Sequence, residues 1–160
     1  MYRRRPALRR TRGSLLQLAR RTLLSCLVGA AMAHAPIYMV RISADGRVLW
    51  NGRMFVNARG ERRAPIKAEE ARVLLERFRT PQFWSLCASY TRGISDSSTI
   101  ETHVEIAGQS ETVSNYADSA PAWVADLEDA VDEVANTHRW RHGDPKNRIP
   151  HAHLQRWSRR

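Results

Sequence analysis

Lysine is nearly missing from this chain: of its 26 basic residues only Lys67 and Lys146 are lysine. Such a skew follows from coding bias as readily as from guanidinium chemistry, so it names no partner. Cysteine is scarce too, with Cys26 and Cys87 alone, which excludes a disulfide framework and a cysteine-based zinc site. Cys87 reads as a small buried apolar residue. No phosphate-binding glycine loop, dinucleotide fingerprint or nucleophile elbow occurs, and no apolar run is long enough to span a bilayer comfortably. At 160 residues the chain supports one domain with a real core and is too short for two ordinary ones.

What is present is charge, unevenly placed. The formal net charge of +10 divides into eight arginines and no acid over residues 1–40, eleven basic against fifteen acidic residues over 41–137, and seven against one over 138–160. Basicity belongs to the ends, and the middle is mildly acidic.

Residues 1–35 read as a basic leader and a possible export signal. Arg3 to Arg12 is arginine-rich, Arg20-Arg21 resembles a twin-arginine pair, a modest apolar run follows from Leu23, and Ala33-His34-Ala35 ends it with small residues. A disordered basic arm, or a start assigned too far upstream, accounts for the same composition. The expected organisation is this leader, an α+β domain over 36–140, and a basic disordered tail over 141–160.

Within the middle, Ile37 to Val56 reads as a three-stranded meander. Tyr38, Val40 and Ile42 alternate with Ile37, Met39 and Arg41; Ser43 to Gly46 supplies turn residues; Val48 and Trp50 continue an apolar face. Asn51-Gly52 is the strongest short hairpin signal, and Met54 to Val56 is the third strand. Arg59 to Arg63 reads as a polar link. Lys67 to Arg79 follows with Ala71, Leu74, Leu75 and Phe78 on one helical stripe. Residues 99–106 and 111–116 form a second hairpin about Ala107-Gly108-Gln109. A last helix, capped by Asp118 or Ser119 with Pro121 in its first turn, turns Trp123, Leu127, Val131 and Val134 inward and Asp126, Glu128, Asp129, Asp132 and Glu133 outward. The fold expected is α+β, a small antiparallel sheet covered by two helices in the order βββ-α-ββ-α.

The order of these pieces resembles the domain-of-unknown-function family 6438 over about residues 36–140: PIYMVRISADGRVLWNG, an apolar helix followed by QFWSL and a Tyr, Asp96 ahead of a Thr-rich strand, TVSNY, and a last helix ending near HRW. Members usually begin their first strand Cys-x-x-x-Cys-Pro-x-Tyr. Pro36 and Tyr38 match that pattern, while Ala31 and Ala35 stand at the cysteine positions, so a disulfide or metal site there is not implied for this chain. The resemblance implies a fold and no activity.

The candidate chemistry is thin. His138 and His142 are four apart and His151 and His153 two apart, but no cysteine or carboxylate stands at matching spacing, so no metal is expected. Asp96, Ser97 or Ser98, and His103 supply the ingredients of a nucleophile triad without its sequence context. No cofactor is expected either. The reading is a non-enzymatic, extracytoplasmic interaction or small-ligand module of bacterial, periplasmic type, with the binding surface at Tyr38, Trp50, Tyr90, Asp96 and Thr99, on the loop 90–99 and the neighbouring hairpin. Core packing is the competing role for Tyr38 and Trp50. The alternative is a cytoplasmic nucleic-acid or polyanion binder, in which Arg139, Trp140, Arg141, Arg156 and Trp157 neutralise phosphate and stack on bases.

Overall fold

A computed structural model describes residues 22–30 and 35–142. The protein is α+β, and the described residues form a seven-stranded, mostly antiparallel sheet and four helices. In chain order the elements are β1 (Leu23–Ala30), β2 (Ile37–Ser43), β3 (Arg47–Met54), β4 (Gly60–Pro65), α1 (Ala68–Arg77), α2 (Pro81–Trp84), β5 (Ser89–Tyr90), β6 (Ser98–Ile106), β7 (Gln109–Tyr116), α3 (Ala122–Ala135) and α4 (His138–Arg141). The strands lie side by side as β4-β3-β2-β1-β6-β7-β5, and only the β5–β7 pairing is parallel.

The largest departure from the sequence reading is β1. Leu23–Ala30, read as the apolar part of a leader, is the central strand, paired antiparallel with β2 on one side and β6 on the other. Leu24 and Cys26 are buried on its core side. The fold therefore includes residues before 36, and a cut after Ala35 would remove the strand that joins the two halves of the sheet.

Asn51-Gly52 is the second correction. These residues lie inside β3, not in a turn. Gly52 is needed there for close approach: a Cβ at that position would lie 2.1 Å from the Ala58 carbonyl oxygen and 2.8 Å from Val56 Cγ2. The chain reverses later, after a register shift at Ile37/Tyr38 and a left-handed Phe55 with φ 54°, and returns as β4 through the segment read as a polar link. The two-residue hairpin is instead at Ala107-Gly108, whose φ values of 54° and 84° are both positive, as a type I′ turn requires.

Both long helices cover one face of the sheet. Ala71, Leu74 and Leu75 of α1, Phe78 and Phe83 beyond it, and Leu127 and Val131 of α3 pack on Leu24, Val40, Ile42, Val104 and Val113. Pro121 itself caps α3, with no side-chain bond from Asp118 or Ser119. Cys87 is exposed, not buried. No helix among the described residues is long and apolar enough to cross a membrane.

Candidate functional site

Helix α3 packs on the sheet, and its inward stripe is not wholly apolar. Glu128 and Asp132, four residues apart and so on one side of the helix, both turn toward the sheet, where the sequence pattern placed them outward. Beneath them runs one cross-strand row: Asn115 on β7, Ile100 on β6, Val28 on β1 and Tyr38 on β2. Glu128 sits over one end of this row and Asp132 over the other.

The two carboxylates are held differently. Asp132 Oδ2 accepts from the Tyr38 hydroxyl and from Arg141 Nη1 at 2.9 Å, so its charge is matched by a guanidinium. Glu128 is only 5 % exposed and receives the neutral amide of Asn115, at 3.1 Å on Oε2 and 3.4 Å on Oε1. Burial, with Asp118 and Asp129 nearby and partly offset by the Asn115 bond, pushes the Glu128 carboxyl up from 4.5 to about 7. Burial and the adjacent Asp132 also push the Tyr38 hydroxyl well above its ordinary range, so it remains a donor.

Between the two acids the row consists of Ile100 and Val28, with Cys26 two residues along β1 on the same face. A cavity of about 230 Å³ results, reached by Glu128, Asp129, Asp132, Tyr38, Arg141 and Cys26. The Cys26 sulfur contacts Thr102 Oγ1 at 3.2 Å, and burial pushes its thiol up to about 12. It is therefore a protonated thiol at neutral pH and not an activated nucleophile.

The short α4 closes this end of the sheet. Trp140 packs on Trp50 with ring centroids 5.5 Å apart, and Trp50 stacks on Tyr38 at 4.6 Å. The Trp140 carbonyl accepts from the Ala58 amide at 3.0 Å, while Trp50 Nε1 donates to the Ala58 carbonyl at 2.9 Å. Arg139 lies over the Trp140 ring, 4.1 Å from its centroid, and Arg141 lies 5.4 Å from the Tyr38 ring centroid. This corrects two readings. Tyr38 and Trp50 are 1 % and 0 % exposed, so they are core residues and not a surface for a partner. Arg139, Trp140 and Arg141 are half-buried parts of the fold, leaving little of them for phosphate or bases; Arg156 and Trp157 lie outside the described residues.

The remaining sequence candidates do not converge. Tyr90 is on edge strand β5, five strand positions from Trp50 on β3, or roughly 24 Å across the sheet. Its hydroxyl accepts from the Cys87 amide. Asp96 is exposed in the loop with φ 61°, and Thr99 pairs with Gly29 and Tyr116. Ser98 borders the cavity, but His103 is on the opposite face of the sheet, bonded to Thr112 Oγ1 at 2.8 Å, so the triad does not assemble. His138 and His142 bring their rings to 4.8 Å, and no group of three metal-ligating side chains occurs among the described residues. His151 and His153 lie outside them.

Sequence reasoning missed Glu128 because α3 carries five acids, and a helical wheel does not say which one faces a gap in the sheet. The signal available was that Glu128 follows Leu127 and falls four before Asp132, inside the apolar stripe rather than opposite it.

Comparison with curated proteins finds no match. The family model for the domain of unknown function DUF6438 matches residues 25–135, beginning within β1, and the chain belongs to that family.

Proposed function

We propose that this chain is a non-enzymatic ligand-binding module whose site is the cavity between α3 and the Asn115–Tyr38 row. The observation that carries this reading is the buried Glu128 carboxylate, which borders the cavity with a neutral amide on its oxygens and no cation paired with it among the described residues, whereas Asp132 beside it has Arg141. A buried charge without a counter-charge is costly, and a ligand that supplies one relieves the cost. At about 230 Å³ the cavity is below the usual range for drug-sized molecules and suits a small ligand with a cationic end, such as an alkyl amine or guanidine. Support for a non-enzymatic role comes from the protonated Cys26 thiol and the separation of His103 from Ser98. An extracytoplasmic location belongs to the same proposal on the condition that export leaves β1 in place. The nucleic-acid alternative rests on Arg156, Trp157 and the N-terminal arginines, since Arg139, Trp140 and Arg141 are used within the fold.

The test is thermal denaturation at pH 8 with small primary amines and guanidines, each beside its neutral alcohol or amide analogue. Cationic members should raise the midpoint by a few degrees at saturation, as ligands that bind only the folded state do, and Glu128→Gln should abolish the difference. Equal effects of cations and their neutral analogues, or an undiminished effect in Glu128→Gln, would overturn the reading.

A further inference from the structure

All four helices described belong to one side of the molecule, leaving the other face of the sheet bare of any described element. The residues on that face follow from strand register. One row is Arg63, Leu49, Arg41, Ser25, His103 and Thr112 from β4 to β7; the row on one side of it carries Arg47, Ser43, Leu23 and Glu105; the row on the other carries Met39, Leu27 and Glu101. Two features stand out. Leu23, Leu27, Met39 and Leu49 are half-buried and form an apolar stripe along β1 to β3 that lies outside both core clusters of the described residues. Charge is divided about β1: the β2–β4 side has Arg41, Arg47 and Arg63 against Glu61, and the β6–β7 side has Glu101 and Glu105, with His103 between them.

Arg47 and Arg63 are held locally by Asp45 at 3.2 Å and Glu61 at 2.6 Å, while Arg41, Glu101 and Glu105 form no ion pair among the described residues. On a single face, then, an apolar centre has unmatched positive charge on one flank and unmatched negative charge on the other.

We infer that this bare sheet face is a dimer interface whose partner is a second copy of the chain. A two-fold axis lying in the interface and parallel to β1 carries the β2–β4 half of one copy over the β6–β7 half of the other. A two-fold axis perpendicular to the strands would put arginine on arginine. The first arrangement stacks the two apolar centres and brings Arg41 of each copy within one row, ~7 Å along a strand, of Glu101 and Glu105 of the other. It also keeps the strand directions of the two sheets close to aligned, the common geometry of stacked sheets. Six strands at ~4.8 Å spacing and ~23 Å length give roughly 550 Å² per copy, or ~1,100 Å² in all, near the lower limit for a specific interface. A hollow of about 430 Å³ bordered by Leu23, Arg41, Leu49 and Arg63 on this face receives side chains of the opposing copy. The association is weak, and salt weakens it further because its specificity is carried by solvent-edge charges.

Sedimentation equilibrium of the full chain tests this, with two variants: Arg41→Glu/Arg47→Glu, which makes both flanks acidic, and Glu101→Arg/Glu105→Arg, which makes both basic. The unmodified chain should dimerise more tightly in low salt than in high salt. Each variant alone should keep its circular dichroism and thermal midpoint and lose self-association by tenfold or more. An equimolar mixture of the two should associate again, as a heterodimer with complementary charge on both flanks. That rescue distinguishes this interface from a dimer held by the termini, which the face variants would not touch. A chain monomeric in low salt at high concentration, dimerisation unaffected by either variant, or a mixture that stays monomeric would each overturn the inference.

Discussion

The two faces of the sheet are built from the same strands, residue by residue in alternation, yet they have been given different work. On the covered face Leu24, Val40, Ile42 and Val104 under α1 and α3 and Trp50 under α4 are 0 % exposed, and the charged side chains admitted there, Glu128 and Asp132, each have hydrogen-bond partners. On the other face leucine and methionine are interrupted by arginine, glutamate, serine and threonine, and no helix among the described residues covers them. A face that is to be closed during folding tolerates polar groups only where partners are fixed, whereas a face closed by association needs charge for orientation and enough apolar area for affinity. The period of two in a strand allows one sequence to satisfy both demands.

The most severe way to break this contrast is to delete residues 1–35. Because β1 is hydrogen-bonded to both β2 and β6, its loss exposes the core sides of Val40, Ile42 and Val104 and divides the sheet in two. The shortened chain should show no cooperative thermal transition, and a native-like transition would mean that β1 is dispensable. Trp50→Ala attacks the covered face alone. It removes the stack on Tyr38, the contact with Trp140 and the bond to Ala58, and should cost about 3–5 kcal/mol in urea denaturation; a loss under ~1 kcal/mol would show that α4 does not depend on that ring.

Glu128 sharpens the comparison more gently. Its folded pKa of about 7 lies above the ordinary 4.5, so the fold prefers the protonated acid. Its contribution is fully present below pH 4.5 and is lost as the pH rises to about 7, levelling off beyond. Glu128→Gln, uncharged throughout, should therefore flatten this part of the pH profile and stabilise the ligand-free chain by ~1–3 kcal/mol at pH 8. A variant with the same profile as the parent would place the titration elsewhere.

How far the sequence discloses this molecule depends on the kind of signal. The amphipathic period of α1 and the alternation of β2, β6 and β7 are local and were readable. The run Leu23–Ala30 was ambiguous, since a short apolar stretch after arginines suits an export signal and a central strand alike. Gly52 follows the same logic: glycine after asparagine signals a turn, but glycine also permits close approach, and only the position of Ala58 decides between them. Of the cavity, Tyr38 is legible as an aromatic of interest, while the helical pattern of α3 puts Glu128 on the outer side and the structure turns it inward.

By itself the sequence determined an α+β domain, an acidic middle with basic ends, and membership of the DUF6438 family, because composition and periodicity are properties of neighbours in the chain. Only tertiary structure decided that Leu23–Ala30 is the centre of the sheet, that Tyr38, Trp50 and Trp140 stack, and that Glu128 and Asp132 face one cavity. Each of those depends on residues dozens of positions apart being brought within a few ångströms, and no local pattern encodes which distant partner fills the space opposite a given side chain.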